Sequence, residues 1–184
     1  MMINNIFAII IFLLISPLFL LISIIIVISD GFPVLYKQKR IGYKNSYFYL
    51  YKFRTMKKNT PELASHLLSN PDIHLIRTGK FLRTFSLDEI PQLINIIKSD
   101  MNFIGPRPAL HNQDDLKKLR TDYHIHLLVP GLTGWAQVNG RDQLSIKEKV
   151  NLDKFYYENE NFFLDFKIIM LTIIKVMRRR GVSH

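Results

Sequence analysis

Hydrophobic and polar positions alternate on three different periods along this chain. From Ile3 to Ile28 there is no alternation at all: 26 consecutive positions hold no Asp, Glu, Lys or Arg. As a straight helix this run would measure about 39 Å, against a hydrocarbon core of about 30 Å, so it reads as a tilted spanning helix. A cleaved signal peptide does not fit, because the start carries no basic residue, the run is too long and no Ala-x-Ala site follows. Ser16-Pro17 divides the run. Pro17 removes one backbone hydrogen bond and crowds the Leu13 carbonyl. Ser16 is placed to help satisfy that carbonyl, which is costly to leave bare in lipid. The break leaves two arms of about 20 Å, neither long enough to span alone. A kinked spanning helix is the ordinary outcome of such a break; an arm that enters and an arm that returns on the same face is the other.

Beyond Asp30 the pattern shortens. Asp30 to Pro33 is a turn signal. Val34 to Arg40 and Ser46 to Phe53 read as extended segments around a turn at Gly42 to Asn45. Tyr47, Tyr49 and Tyr51 alternate with Phe48, Leu50 and Lys52, which predicts a packing or membrane-interface face of tyrosines rather than a base-stacking platform. Thr60 to Asn70 reads as a short helix opened by Pro61 and ended by Asn70-Pro71. Leu110 to His126 reads as polar and helical, with Leu116 and Leu119 inward. His124 and His126 alternate without a third ligand at a metal-site spacing, so they read as surface or packing residues. Turns are expected at Pro130-Gly131, Thr133-Gly134 and Asn139-Gly140, with Trp135 to Val138 extended between them. Ser145 to Tyr157 reads as a helix opened by a capping box of Ser145 and Glu148. Phe162 to Met177 is a second very apolar helix. At 16 residues it is short for spanning and belongs at the interface or in the core.

The stretch that organises the chain is Arg83 to Pro108, RTFSLDEIPQLINIIKSDMNFIGPRP. Ile90, Leu93, Ile94 and Ile97 form one helical stripe. Pro91 restricts the start, because proline is tolerated only in the first turn. A start at Asp88 puts Pro91 at the third position; a Ser86–Glu89 capping box would push it to the fifth, where its ring crowds the turn. The start near Asp88 is therefore expected. Asp88 could be no more than the helix cap, and on local sequence that is the ordinary reading. Two features point further. Adjacent carboxylates are costly unless a cation compensates them. And Gly105-Pro106-Arg107-Pro108 sets an arginine on a backbone stiffer than a surface ion pair requires.

Charge narrows the partners. The 184 residues carry a net charge of +10 and no cysteine, which excludes disulfides and thiolate metal sites. Gly31 to Pro61 holds eight basic residues (Lys37, Lys39, Arg40, Lys44, Lys52, Arg54, Lys57 and Lys58) and no acidic one. A basic run directly after an apolar run marks the cytoplasmic side and an anionic lipid surface. No helix-turn-helix, RRM, KH or zinc pattern supports nucleic acid as a partner.

SLDEIPQLINIIKSDMNFIGPRP resembles the signature of the bacterial sugar transferases, the small monotopic phosphoglycosyl transferases. The resemblance continues in QKRIG (Gln38 to Gly42), KFRTM (Lys52 to Met56) and PGLTGWAQVNGR (Pro130 to Arg141). It implies an α+β, mostly helical fold: a re-entrant membrane helix over 1–29, then a compact interfacial catalytic domain over 30–184 with short strands and amphipathic helices. It implies that Ser16-Pro17 is the re-entrant break. It assigns Asp88 as nucleophile and Glu89 as a Mg²⁺ ligand. Arg83, Arg107, Arg141 and Lys52 become candidates for substrate phosphate, Arg141 being otherwise a solvated loop arginine. Asp165 becomes a candidate polar site residue, although an Asp opening an apolar helix can simply cap it. Val129 stands where the family usually has a basic residue. The implied activity is Mg²⁺-dependent transfer of a sugar-1-phosphate from a UDP-sugar to a polyprenyl phosphate, with UMP released, on the cytoplasmic face of the bacterial inner membrane. Downstream glycosyltransferases are the implied protein partners. Larger relatives carry spanning helices ahead of this domain, so the chain looks like the minimal catalytic unit. Two other readings compete: a non-catalytic basic domain on a membrane anchor, which leaves the acid pair unexplained, and a processive glycosyltransferase, whose nucleotide-binding domain alone would take roughly 200 residues.

Overall fold

A computed structural model of the chain describes residues 2–60, 71–140 and 143–177. The expected helix over Thr60 to Asn70, apart from Thr60 itself, and the expected role of Arg141 lie outside those residues.

The apolar run forms one helix, α1 (Met2–Asp30), which continues through Pro17. Ser16 Oγ donates to Leu13 O at 2.8 Å, so the carbonyl that the proline leaves bare is taken by the residue expected to take it. Before the proline, Ala8 packs with Leu50, Leu93, Ile96 and Met101. After it, Ile22 and Ile26 pack with Phe53, Ile76 and Leu82. The rings of Phe12 and Phe19, on either side of the break, lie 5.5 Å apart. Both ends of α1 are tied to the same body. Asn4 Nδ2 donates to Asn102 Oδ1 at 3.1 Å and Asn5 Nδ2 to Ser99 Oγ at 2.7 Å, while Asp30 pairs with Arg54. The rest of the surface of α1 is exposed and apolar, and the helix is long and apolar enough to cross a membrane, which makes it a candidate membrane anchor.

Strands β1 (Leu35–Ile41) and β2 (Tyr47–Phe53) form the expected antiparallel hairpin, with Leu35 opposite Phe53 and Ile41 opposite Tyr47. Alternation puts Phe48, Leu50 and Lys52 on one face, and Leu50 is buried against α1. The tyrosines face the other way, with Lys39 and Lys117 over Tyr47 and Lys37 and Lys98 over Tyr51. The free edge of β2 is closed by a side chain: fully buried Asn95 donates to Tyr49 O (2.7 Å) and accepts from Tyr51 N (3.0 Å). It thereby satisfies two edge groups that an adjacent strand would otherwise take.

Asn95 belongs to α3 (Gln92–Ile97), which follows α2 (Gly79–Thr84) and a tight 3₁₀ turn at Leu87–Glu89. The helix thus starts later than expected. Pro91, not Asp88, is its cap residue, and its buried positions are Gln92, Leu93, Asn95 and Ile96, so of the expected stripe only Leu93 is buried while Ile90, Ile94 and Ile97 are partly so. Ile90 N–H bonds to Leu87 O at 3.3 Å, closing a three-residue turn ahead of the proline, which has no N–H to donate.

Strand β3 (Asn102–Ile104) pairs in parallel with β4 (Gly131–Thr133). Gly105 and Gly131 cross where their backbones touch: a Cβ at Gly131 would collide with the backbone nitrogen of Gly105, so only glycine fits. Between these strands runs α4 (Asp114–Asp122), with Leu116 buried and Leu119 partly buried. Trp135–Val138 is a single helical turn, α5, not the expected extended segment. Four residues are too few to tell a period of 2 from 3.6, and the turn stacks Trp135 on Phe155 while burying Ala136 and Val138. Helix α6 (Ile146–Asn159) opens on the expected reciprocal capping box. Helix α7 (Phe162–Met177) buries Ile168 and exposes Phe162, Phe163, Phe166, Met170 and Ile173, so it lies at a surface rather than in the core. The described residues are mostly helical with a few short strands.

Candidate active site

Ser86 takes a left-handed backbone (φ 54°), which swings the chain out of α2 and into the 3₁₀ turn. That turn places Asp88 and Glu89 side by side, Asp88 at 8 % exposure. Lys52, projecting from the inner face of β2, reaches both: its Nζ lies 2.8 Å from Glu89 Oε1 and 3.7 Å from Asp88 Oδ2. Arg107 Nη2 reaches the same Glu89 oxygen at 3.2 Å. Arg83 donates from Nε to Thr55 Oγ1 at 2.9 Å. Burial pulls its guanidinium below the ordinary value, while the carboxylates of Asp88 and Asp72 pull the other way. The compensation that two adjacent carboxylates demand is therefore supplied by Lys52, Arg107 and Arg83, from three separate parts of the chain.

Glu89 and Arg107 also line a cavity of about 670 Å³. Its walls are mainly apolar: Phe7 and Ile11 from α1, Ile90 and Leu93 near α3, Ile169 and Ile173 from α7. Where β4 meets α7, the hydroxyls of Thr133 and Thr172 share a hydrogen bond of 2.7 Å. One end of the cavity is thus charged, and its sides are formed by the two helices with exposed apolar faces.

Of the residues expected at the site, Asp88, Glu89, Lys52, Arg83 and Arg107 come together. Asp165 does not join them. It accepts from Tyr156 OH at 2.9 Å and is absent from the cavity wall; together with burial, its carboxylate pushes the tyrosine hydroxyl well above its ordinary range. Nor does Asp165 cap α7: Asn161 Oδ1 accepts from Leu164 N–H at 3.0 Å at the start of that helix. The sequence reading missed Thr55, which orients Arg83, and the buried pair of Asp153 with Arg120 Nη2 at 2.6 Å. Asp153 was detectable: it lies three residues after Val150 and three before Tyr156, both buried, so an acid sits on the inward stripe of α6. Burial raises its carboxyl, and Arg120 works against that rise.

Two adjacent carboxylates offer hard oxygen donors of the kind Mg²⁺ takes, one or two at a time, alongside phosphate oxygens and water. Among the described residues no cluster of three or more His, Cys, Asp or Glu could hold a metal by itself. The donor set therefore fits an ion shared with a phosphorylated substrate.

An acid pair is thus held among three cations, and Glu89 and Arg107 reach from it to the wall of an apolar cavity beside two helices with exposed apolar faces. The chain belongs to the bacterial sugar transferase family, whose model matches residues 1–179. It is 44 % identical to the sugar transferase EpsL of Bacillus subtilis (strain 168), over 84 % of this chain and 75 % of that protein. It is 36 % identical to the exopolysaccharide production protein ExoY of Rhizobium meliloti (strain 1021), over 92 % of this chain and 81 % of that one. The undecaprenyl-phosphate galactose phosphotransferase of Salmonella typhimurium is 35 % identical over 84 % of this chain, which spans only 36 % of its length.

Proposed function

We propose that the protein transfers a sugar-1-phosphate from a UDP-sugar to a polyprenyl phosphate and releases UMP, at the membrane step that begins assembly of a bacterial surface or secreted glycan. The observation that carries this reading is the adjacent pair Asp88 and Glu89 under Lys52, with Glu89 and its partner Arg107 on the wall of the apolar cavity between α1 and α7. Relatives whose names are undecaprenyl-phosphate sugar transferases support it, including the UDP-glucose:undecaprenyl-phosphate glucose-1-phosphate transferase of Escherichia coli (strain K12).

In this reading Asp88 Oδ attacks the phosphorus that carries the sugar. The bond from that phosphorus to the bridging oxygen breaks, and UMP leaves with the electron pair. The resulting acyl phosphate on Asp88 is then attacked by a phosphate oxygen of the polyprenyl phosphate, which breaks the Asp88 O–P bond and restores the carboxylate. Lys52, Arg83 and Arg107 offset the negative charge of the acid pair and of the phosphoryl oxygens. Glu89 would hold Mg²⁺, and that ion would supply further charge neutralisation at the phosphoryl oxygens. A polyprenyl chain suits the apolar walls, and its phosphate suits the charged end. Ties from both ends of α1 to one body support a re-entrant rather than a spanning helix, with the basic face toward the cytoplasm.

The test is UMP release from a panel of UDP-sugars, with and without polyprenyl phosphate and with and without a chelator. Sugar-labelled donor alone should leave label on Asp88. An initial-rate pattern that requires a ternary complex, with no trapped adduct, would sink the two-step mechanism. The absence of UMP release with every donor would sink the function.

A further inference from the structure

The segment Gly105-Pro106-Arg107-Pro108 contains two prolines and so has few N–H groups with which to fasten itself. It is held through its carbonyls instead. Pro106 O accepts from Gly131 N–H at 3.0 Å, Arg107 O from Arg120 Nη1 at 2.8 Å, Pro108 O from Arg40 Nη1 at 2.9 Å, and Ala109 O from Ile41 N–H at 2.9 Å. Four successive carbonyls are taken by three parts of the chain, β4, α4 and the end of β1, and the middle two are taken by guanidinium groups.

Each guanidinium is itself anchored. Arg120 Nε and Nη2 both donate to Asp153 Oδ2, at 3.1 and 2.6 Å, and Asp153 is 1 % exposed. Arg40 Nε and Nη2 both donate to Gln38 Oε1, two residues earlier on β1. A buried ion pair is weak as a stabilising device, since desolvation offsets most of its attraction. Here its remaining donor goes to the peptide that sets the ψ angle of Arg107. Lysine could not do the same, because one ammonium cannot hold both oxygens in a fixed fork.

We propose that Arg40 and Arg120, anchored on Gln38 and Asp153, are positioning residues that clamp the Arg107–Pro108 backbone and thereby aim the Arg107 guanidinium at the substrate diphosphate. This rests on the reading that Arg107 faces a diphosphate, and it gives the QKRIG segment a task. Misplacing a group at a reacting centre by about 1 Å costs up to about 100-fold in rate. Arg40→Lys and Arg120→Lys should therefore each lower kcat/KM for the UDP-sugar about 10- to 100-fold.

The deciding experiment is a double-mutant cycle in the full chain. In an Arg107→Ala background each lysine substitution should cost less than about twofold more, because nothing is left to aim. Equal losses in both backgrounds would overturn the proposal in favour of general damage, as would activity within about twofold of the parent for both single variants. Amide hydrogen exchange reads the clamp without reference to catalysis. Gly131 and Ile41, whose N–H groups bond to the outer carbonyls, should exchange faster in both lysine variants. If the parent protein releases no UMP, the function proposed above fails while the clamp is still judged: faster exchange upholds it, and unchanged exchange in both variants removes it.

Discussion

At the scale of single residues, the site depends on how the charge of two neighbouring acids is offset. Asp88 and Glu89 are adjacent in the chain, and Lys52 reaches both. The substitution Asp88→Asn keeps the shape and removes one of the two charges. Turnover should fall at least about 1,000-fold, the scale typical for loss of a nucleophile. The thermal midpoint should not fall, because the neutral amide would relieve repulsion rather than break a cap: Pro91, not Asp88, caps α3. Turnover near the parent level would remove Asp88 as nucleophile and leave it a structural residue, a role in which Asn substitutes well for Asp.

Among the elements, one polar side chain closes the β2 edge against α3, and one takes the carbonyl that Pro17 leaves bare in α1. Asn95 bonds two backbone groups at the β2 edge that carries Lys52. Asn95→Ala would take these partners from the partly buried Tyr51 N–H and Tyr49 C=O. A fully buried orphan costs about 1–3 kcal/mol, so with partial burial denaturant unfolding should show a loss of about 1–3 kcal/mol for the pair. A loss under about 0.5 kcal/mol would mean that water takes over the edge. In α1, Pro17→Leu should remove the ring that crowds the Leu13 carbonyl and favour a straight helix of spanning length. Cysteines at Ile3 and Lys44, both exposed, can be probed with a membrane-impermeant thiol reagent in intact cells. Both should be protected until lysis in the parent. With Pro17→Leu, position 3 should become reactive in part of the population while position 44 stays protected. Labelling of position 3 in the parent would establish a spanning helix.

For the molecule as a whole, the exposed faces of α1 and α7 are far more apolar than a surface in water tolerates, and they flank the same cavity. Phe163 and Met170 of α7 are exposed and are not cavity residues. Changing both to Ser should weaken sedimentation with vesicles containing anionic lipid and leave the thermal midpoint in detergent unchanged. If vesicle binding is untouched, the α7 face meets something other than lipid.

What the sequence determined by itself was whatever depends on neighbours in the chain. The apolar run, the hairpin from Leu35 to Phe53, the Ser145–Glu148 capping box and α7 are each coded within a few residues, where period and capping chemistry act directly. The acid pair and its arginines were legible for the same reason, as residue types crowded into one motif. Only the tertiary structure decided where α3 begins, because the 3₁₀ turn ahead of Pro91 and an α-helical turn from Asp88 differ by one residue of hydrogen-bond reach. It also decided that Asn95 closes a strand edge, that Asp165 serves Tyr156, and that Arg40 and Arg120 converge on one strap. Those partners lie between 9 and 68 residues apart in sequence. No local period carries that information, because which carbonyl a guanidinium meets is set by packing between distant elements.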